Sequence, residues 1–97
     1  MLVKTDHQAH LEGILTVEEV PAVYQQSLEW KTSELPSSID LSRLEKTDSS
    51  AVALLLEWQS WAHTQNKVIK FLNPPDSLRT IAGLSQVDSL LGWTAKE

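Results

Sequence analysis

The residues able to do chemistry gather in one run, IDLSRLEKTDSSAVALLL, residues 39–56. Asp48, Ser49 and Ser50 stand directly before the apolar segment Ala51–Leu56, and Asp40 lies near the head of the same run. Two chemistries suit an acid followed by two hydroxyls at the start of an apolar helix. In the first, Asp48 is a helix cap whose carboxylate accepts the free N–H groups of the first turn. In the second, the same helix end, with its partial positive charge and unpaired donors, tolerates a phosphoryl group on a serine. A phosphoserine would add close to two negative charges beside apolar residues and repel a partner docked on them. Spacing alone is compatible with both.

Other pairings carry less. His7 and His10 are three residues apart, and in extended chain side chains at that spacing point to opposite faces, so they do not easily share a metal ion. Ser49 and His63 fall on one helix, separated by roughly 20 Å at 1.5 Å per residue, too far for a nucleophile and its base. Asp40 and Asp48 lack the nucleophile, Gly-rich phosphate loop or Walker-type motif that would make them a catalytic pair. The sequence therefore predicts a protein that is not an enzyme and holds no cofactor or metal. Nucleotide binding or hydrolysis, a reading of another class, is disfavoured by the same lack of a phosphate loop.

The elements that must position Ser49 belong to a chain of 97 residues, enough for one domain, residues 1–97, and not two. A net charge of −5 with scattered Lys and Arg argues against nucleic acid and anionic membrane surfaces. Cysteine is absent, which excludes a disulfide framework and a Cys-type zinc site. The N-terminus lacks the apolar core of a secretory signal, and AVALLL is far shorter than a membrane span. The expected location is the cytoplasm.

Residues 2–8 and 10–15 read as short strands, with Gly13 marking a bend or close approach. Thr16 and Glu19 have capping-box spacing and open a helix of about 15 residues, with Pro21 in its first turn. Ile39–Leu41 reads as a short buried strand ended by SRLEKT. A second helix spans Ser49 to Gln65, broken by Asn66 and Lys67. Residues 68–72 form a strand, and the second proline of NPPD suits the first position of a short third helix. Gly83 is placed to end that helix in a left-handed conformation. VDSLLGW is a last short element, strand or helical turn. The order ββαβαβα implies an α/β domain with crossover helices, a mainly parallel sheet and an antiparallel edge.

On the second helix, Ala51, Leu55, Trp58 and Ala62 fall on one stripe, with Glu57, Ser60, His63 and Thr64 opposite. Leu54 and Trp61 flank the stripe on one side, Val52 and Leu56 on the other. The apolar arc exceeds what one sheet face uses. Either the helix is deeply sandwiched, or one flank meets a partner, as tryptophan often does at binding hot spots.

IDLSRLEKTDSSAVALLL resembles the core segment of STAS domains, the family of sulfate-transporter tails and anti-sigma-factor antagonists. Asp40 matches the family's strand-end acid, Asp48 the acid before the site, and Ser49 the hydroxyl that kinases phosphorylate in the antagonists. Ala51 and Val52 stand where the family pattern has Gly and Leu. The short architecture and the early LEGIL strand are most similar to the MlaB-like subfamily, the STAS subunits of Mla-type phospholipid ABC transporters. The resemblance implies a single STAS-like domain with a small mixed, mostly parallel sheet of about four or five strands and about three or four helices. It also implies a non-catalytic cytoplasmic subunit that binds and supports the ATPase subunit, peripheral to the inner membrane, in a system maintaining outer-membrane lipid asymmetry in Gram-negative bacteria. The implied contact comprises Asp48, Ser49, Ser50, Ala51, Val52, Leu54 and Leu56, with Asp40 nearby. The alternative within the family is an anti-sigma-factor-antagonist-type switch controlled by a serine kinase at Ser49.

Overall fold

The computed structural model describes residues 1–5 and 7–93. Strands β1 (Leu2–Thr5), β2 (Gln8–Leu15), β3 (Ser38–Thr47) and β4 (Lys70–Leu72) form one sheet in the order β1-β2-β3-β4. The β1–β2 pair is antiparallel, and β2–β3 and β3–β4 are parallel. Helices α1 (Val20–Gln26), α2 (Ser49–Thr64) and α3 (Asp76–Leu84) make the crossovers and the closing layer. This is the expected mixed, mainly parallel α/β sheet. Ala9, Leu11, Leu15, Ile39, Leu41, Leu44 and Phe71 bury one sheet face in a core shared with Ala51, Leu55, Trp58 and Ala62 of α2. Those four helix residues are all fully buried, and Glu57, Ser60, His63 and Thr64 are all exposed.

β3 departs from expectation. It continues through SRLEKT to Thr47 instead of ending at Leu41, because Arg43–Thr47 pair with Glu12–Leu15. Two register shifts, at His10/Glu12 and Gly13/Ile14, place extra β3 residues opposite β2. Such bulges break the two-residue alternation that identifies a strand. Gly13, at φ +78, supplies the left-handed backbone at the second shift. β4 pairs only with Ser38–Asp40, so the rest of β3 has a strand on one side alone. Bulges and the exposed charges of Arg43, Glu45 and Lys46 guard that edge against pairing with other chains.

The first helix is also shorter than its periodicity implies. The capping-box residues do meet, with Glu19 Oε1 accepting the Thr16 N–H at 3.0 Å and its hydroxyl at 2.6 Å. They close a turn ahead of α1, which ends at Ser27 and gives way to a 3₁₀ turn, Leu28–Lys31. Ser27 is fully buried and donates its hydroxyl to the Tyr24 carbonyl at 2.9 Å. That local bond competes with helix continuation, and the tighter turn carries Trp30 into the core beside Trp58.

Helices α2 and α3 end in the same motif. In α2, Lys67 N–H bonds Ala62 C=O at 2.8 Å and Asn66 N–H bonds His63 C=O at 3.0 Å. In α3, Val87 N–H bonds Ala82 C=O and Gln86 N–H bonds Gly83 C=O, both at 3.0 Å. These are Schellman closures with Asn66 (φ 60) and Gln86 (φ 61) in the left-handed position. Gly83 therefore lies inside α3, not at its stop, and Pro75 caps the helix instead of occupying its first position. Gln86→Gly should relieve the left-handed strain and raise stability by about 0.5–1 kcal/mol, read as a higher thermal midpoint. The last element is a 3₁₀ turn, Asp88–Leu91, after which the Trp93 indole N–H bonds the Phe71 carbonyl of β4 at 3.0 Å.

Candidate functional site

Asp48 joins β3 to α2 in extended backbone (φ −143, ψ −169), the conformation of an N-cap. Its Oδ1 accepts the Ser50 N–H at 2.9 Å and the Ser50 hydroxyl at very short range. Its Oδ2 accepts the Val17 N–H at 3.0 Å, from the turn that follows β2. The carboxylate thus caps α2 and also ties a second chain segment to the helix start. Ser50 is half-buried, with its hydroxyl committed to Asp48, whereas Ser49 is exposed at the first helical position.

Behind this tip the helix turns inward. Ala51 is fully buried, and Val52 and Leu54 are 4% and 3% exposed. These three were expected at a partner contact; they pack into the core and can support a contact only by fixing α2. Trp61 is likewise buried, its indole N–H donating to Glu57 at 3.0 Å and its ring tilted on Tyr24 at 5.6 Å. Of the two flanks, only Leu56 reaches the surface, where it lines an open cleft of about 380 Å³ with Gln59, Ser60, His63 and Leu90.

Asp40 is not part of this tip. A ten-residue β3 puts it eight residues before Asp48, roughly 20–25 Å away at strand rise. It sits instead where β4 leaves the sheet. There it accepts the Ser42 N–H and hydroxyl, both at 3.1 Å, and the Asn73 amide at 3.2 Å. Partial burial raises its pKa, but these donors outweigh it and hold the group below its ordinary value.

The tip is acidic. The Ser50 hydroxyl, helped against partial burial by the backbone N–H groups of Val17, Ser50 and Ala51, holds Asp48 below the usual carboxylate value. Glu19 is lowered by the Thr16 hydroxyl and N–H, although the nearby Asp48 charge opposes the shift. Because the folded pKa of Asp48 lies below its reference value of 3.8, its contribution to stability is full well above that pH. It is lost as pH falls through the lowered folded value. Asp48→Asn should therefore flatten the acid limb of a plot of thermal midpoint against pH, with the remaining slope due to Glu12, Glu19 and Asp40, whose pKa values are also lowered.

Two residues escaped sequence reasoning. Val17 is 65% exposed although apolar, and it lies beside the cap only through a bond spanning 31 residues, which no local pattern reveals. Leu90, 61% exposed, belongs to the tail element whose type the sequence left open. Among the described residues no cluster of His, Asp or Glu is placed to hold a metal ion, and His63 lies at the far end of α2 from Ser49. Also among the described residues, no helix is long and apolar enough to cross a membrane.

A family model described as "Mlab, STAS domain" matches residues 2–92. No curated protein matches the chain. Among solved structures, the fold is similar to that of the anti-sigma factor antagonist SpoIIAA in its unphosphorylated form, with a TM-score of 0.72. The two are 22% identical, and the match covers 100% of this chain and 86% of that one. At that identity the likeness shows a common fold.

Proposed function

The chain belongs to the STAS domain family, in its MlaB-type branch, and from that premise we propose that it is a non-catalytic subunit of an Mla-type phospholipid ABC transporter. In this reading it binds and supports the ATPase subunit on the cytoplasmic side of the inner membrane and serves outer-membrane lipid asymmetry. The observation that carries the proposal is the exposed Ser49 at the start of α2, capped and braced by Asp48. Asp48 neighbours the exposed Ser49 hydroxyl in the chain and accepts the backbone N–H of exposed apolar Val17, so the tip offers both a hydrogen-bonding group and an apolar residue, the composition of a protein interface. Ser50 and Asp48 shape this tip, and Leu56 offers a second apolar contact farther along the helix.

The test is co-purification of the chain with the ATPase subunit of an Mla-type transporter from the same cell. A stable complex on size exclusion is the expected result. Separate elution at micromolar concentrations of both proteins would remove the proposal.

A second reading is favoured by the structural likeness to unphosphorylated SpoIIAA. In it the chain is an anti-sigma-factor-antagonist-type switch and Ser49 accepts a phosphoryl group from a serine kinase. A mass gain of one phosphoryl group at Ser49, with no ATPase bound, would select it.

A further inference from the structure

We infer that the outer edge of β4 is a docking site for an extended acidic strand of a partner protein, held shut by two side chains, Gln59 and Trp93. The inference goes beyond the Ser49 reading and does not depend on it.

β4 is the last strand of the sheet, and in a strand the backbone groups of successive residues face opposite edges. Lys70 N–H bonds the Ser37 carbonyl at 3.0 Å, so Lys70 and Leu72 face β3. Ile69 and Phe71 therefore turn their N–H and C=O groups outward. The Gln59 amide accepts the Ile69 N–H and donates to the Ile69 carbonyl, both at 3.0 Å, as a neighbouring strand would. The Trp93 indole N–H donates to the Phe71 carbonyl at 3.0 Å. Among the described residues no side chain takes the Phe71 N–H. Open strand edges recruit other strands, and proteins cover them. Here side chains stand in for the missing strand, so an incoming one can exchange with them bond for bond.

The side chains along the edge state what that strand must carry. β2, β3 and β4 are parallel and adjacent in order, so two right-handed crossovers put α1 and α2 on one face of the sheet. Ile69 and Phe71 point to that face and are buried. Val68, Lys70 and Leu72 point to the other and are exposed, Val68 by 73% and Leu72 by 40% although both are apolar. An antiparallel strand set against this row places one side chain opposite Lys70 and one opposite each apolar neighbour. An acid between two apolar residues fits all three. A second copy's β4 does not, because the same register sets Lys70 against Lys70. Strand addition of this kind takes affinity from main-chain bonds and specificity from alternate side chains.

The experiment titrates the full chain with two capped peptides, Ser-Val-Ser-Glu-Ser-Val-Ser and its counterpart with Lys at the centre, and follows backbone amides by NMR. The proteins are the parent, Lys70→Glu and Trp93→Phe, which keeps a ring at the edge and loses the indole N–H. The Glu peptide should slow exchange of the Phe71 amide and bind the parent about fivefold more tightly than the Lys peptide, the worth of an opposite-charge pair over a like-charge one. Lys70→Glu should reverse that preference. Trp93→Phe should bind the Glu peptide about fivefold more tightly than the parent does, since one competing hydrogen bond is gone. If Trp93→Phe perturbs the fold, read at the amide of buried Leu55, the parent and Lys70→Glu decide, because Lys70 is exposed. Equal binding of the two peptides, or a Phe71 amide that neither peptide protects at millimolar concentration, overturns the inference. Phe71 protection that rises with chain concentration alone would make a second copy the occupant and also overturns it. The ATPase is absent from the assay, so failure here is distinct from failure of the ATPase to co-purify.

Discussion

Trp58→Ala is expected to cost about 3–5 kcal/mol of folding stability, the range for deleting a large aromatic from a packed core. Native domains are stable by roughly 5–15 kcal/mol in total, so the variant would sit at the edge of folding. Trp58 is fully buried at the middle of α2, its ring tilted against Trp30 at a centroid distance of 5.1 Å. Its indole N–H donates to Ser27 Oγ at 2.8 Å, and Ser27 is itself fully buried. The residue thus joins α2 to the break between α1 and the following 3₁₀ turn. Truncation opens a cavity and removes the donor that faces the Ser27 oxygen. Trp58→Phe keeps much of the ring and removes the N–H, so about 1–2 kcal/mol should be lost. Urea unfolding of the three proteins checks the order parent, Phe, Ala. A Trp58→Ala midpoint close to that of the parent would show that the α2 core does not rest on this ring.

That core was readable from residue types because α2 obeys one rule along its whole length. Its apolar stripe repeats at the helical period, and Asp48 precedes it with the geometry a cap requires. The parallel sheet followed from the alternation of strands and helices. β3 was only partly legible, since its bulges come from register against β2, a partner 31 residues away at Glu12 and Arg43. The misplacement of Asp40 is a direct consequence: a strand thought to end at Leu41 brings Asp40 close to the tip, and one that runs to Thr47 carries it to the other end of the sheet. α1 was overextended because Ser27 looks acceptable on a helix wheel, while its buried bond with Trp58 is invisible locally. Gly83 misled for another reason. Glycine is the favoured stop, yet the terminus forms where the Val87 and Gln86 amides find carbonyls, and Gln86 accepts the strain. At the tip, Asp48 and Ser49 could be found by eye. Val17 could not, because hydrogen-bond closure between distant loops leaves no periodic trace.

Ser49→Glu is expected to weaken ATPase binding roughly thirtyfold while leaving the fold intact, and the two effects have opposite physical signs. A glutamate at the first position of α2 lies at the positive end of the helix, where acids stabilise by about 0.3–1 kcal/mol. The thermal midpoint should hold or rise slightly, which excludes unfolding as the cause of lost binding. At the contact the same charge is unfavourable. It adds to Asp48 and Glu19, both held ionised by lowered pKa values, and a partner packed on Ser49 must desolvate it or withdraw. Unfavourable charge at an interface commonly costs a few kcal/mol, and about 2 kcal/mol corresponds to that thirtyfold change in Kd. Ser49→Ala separates charge from the hydroxyl: it removes one hydrogen-bonding group and should cost only a few-fold. Isothermal titration of parent, Ala and Glu proteins against the ATPase subunit, with thermal midpoints measured on the same samples, gives both axes. Ser49→Glu binding as tightly as the parent would place the contact elsewhere on the domain. Ser49→Ala binding as weakly as Ser49→Glu would make the hydroxyl itself, and not its neutrality, the feature the partner reads.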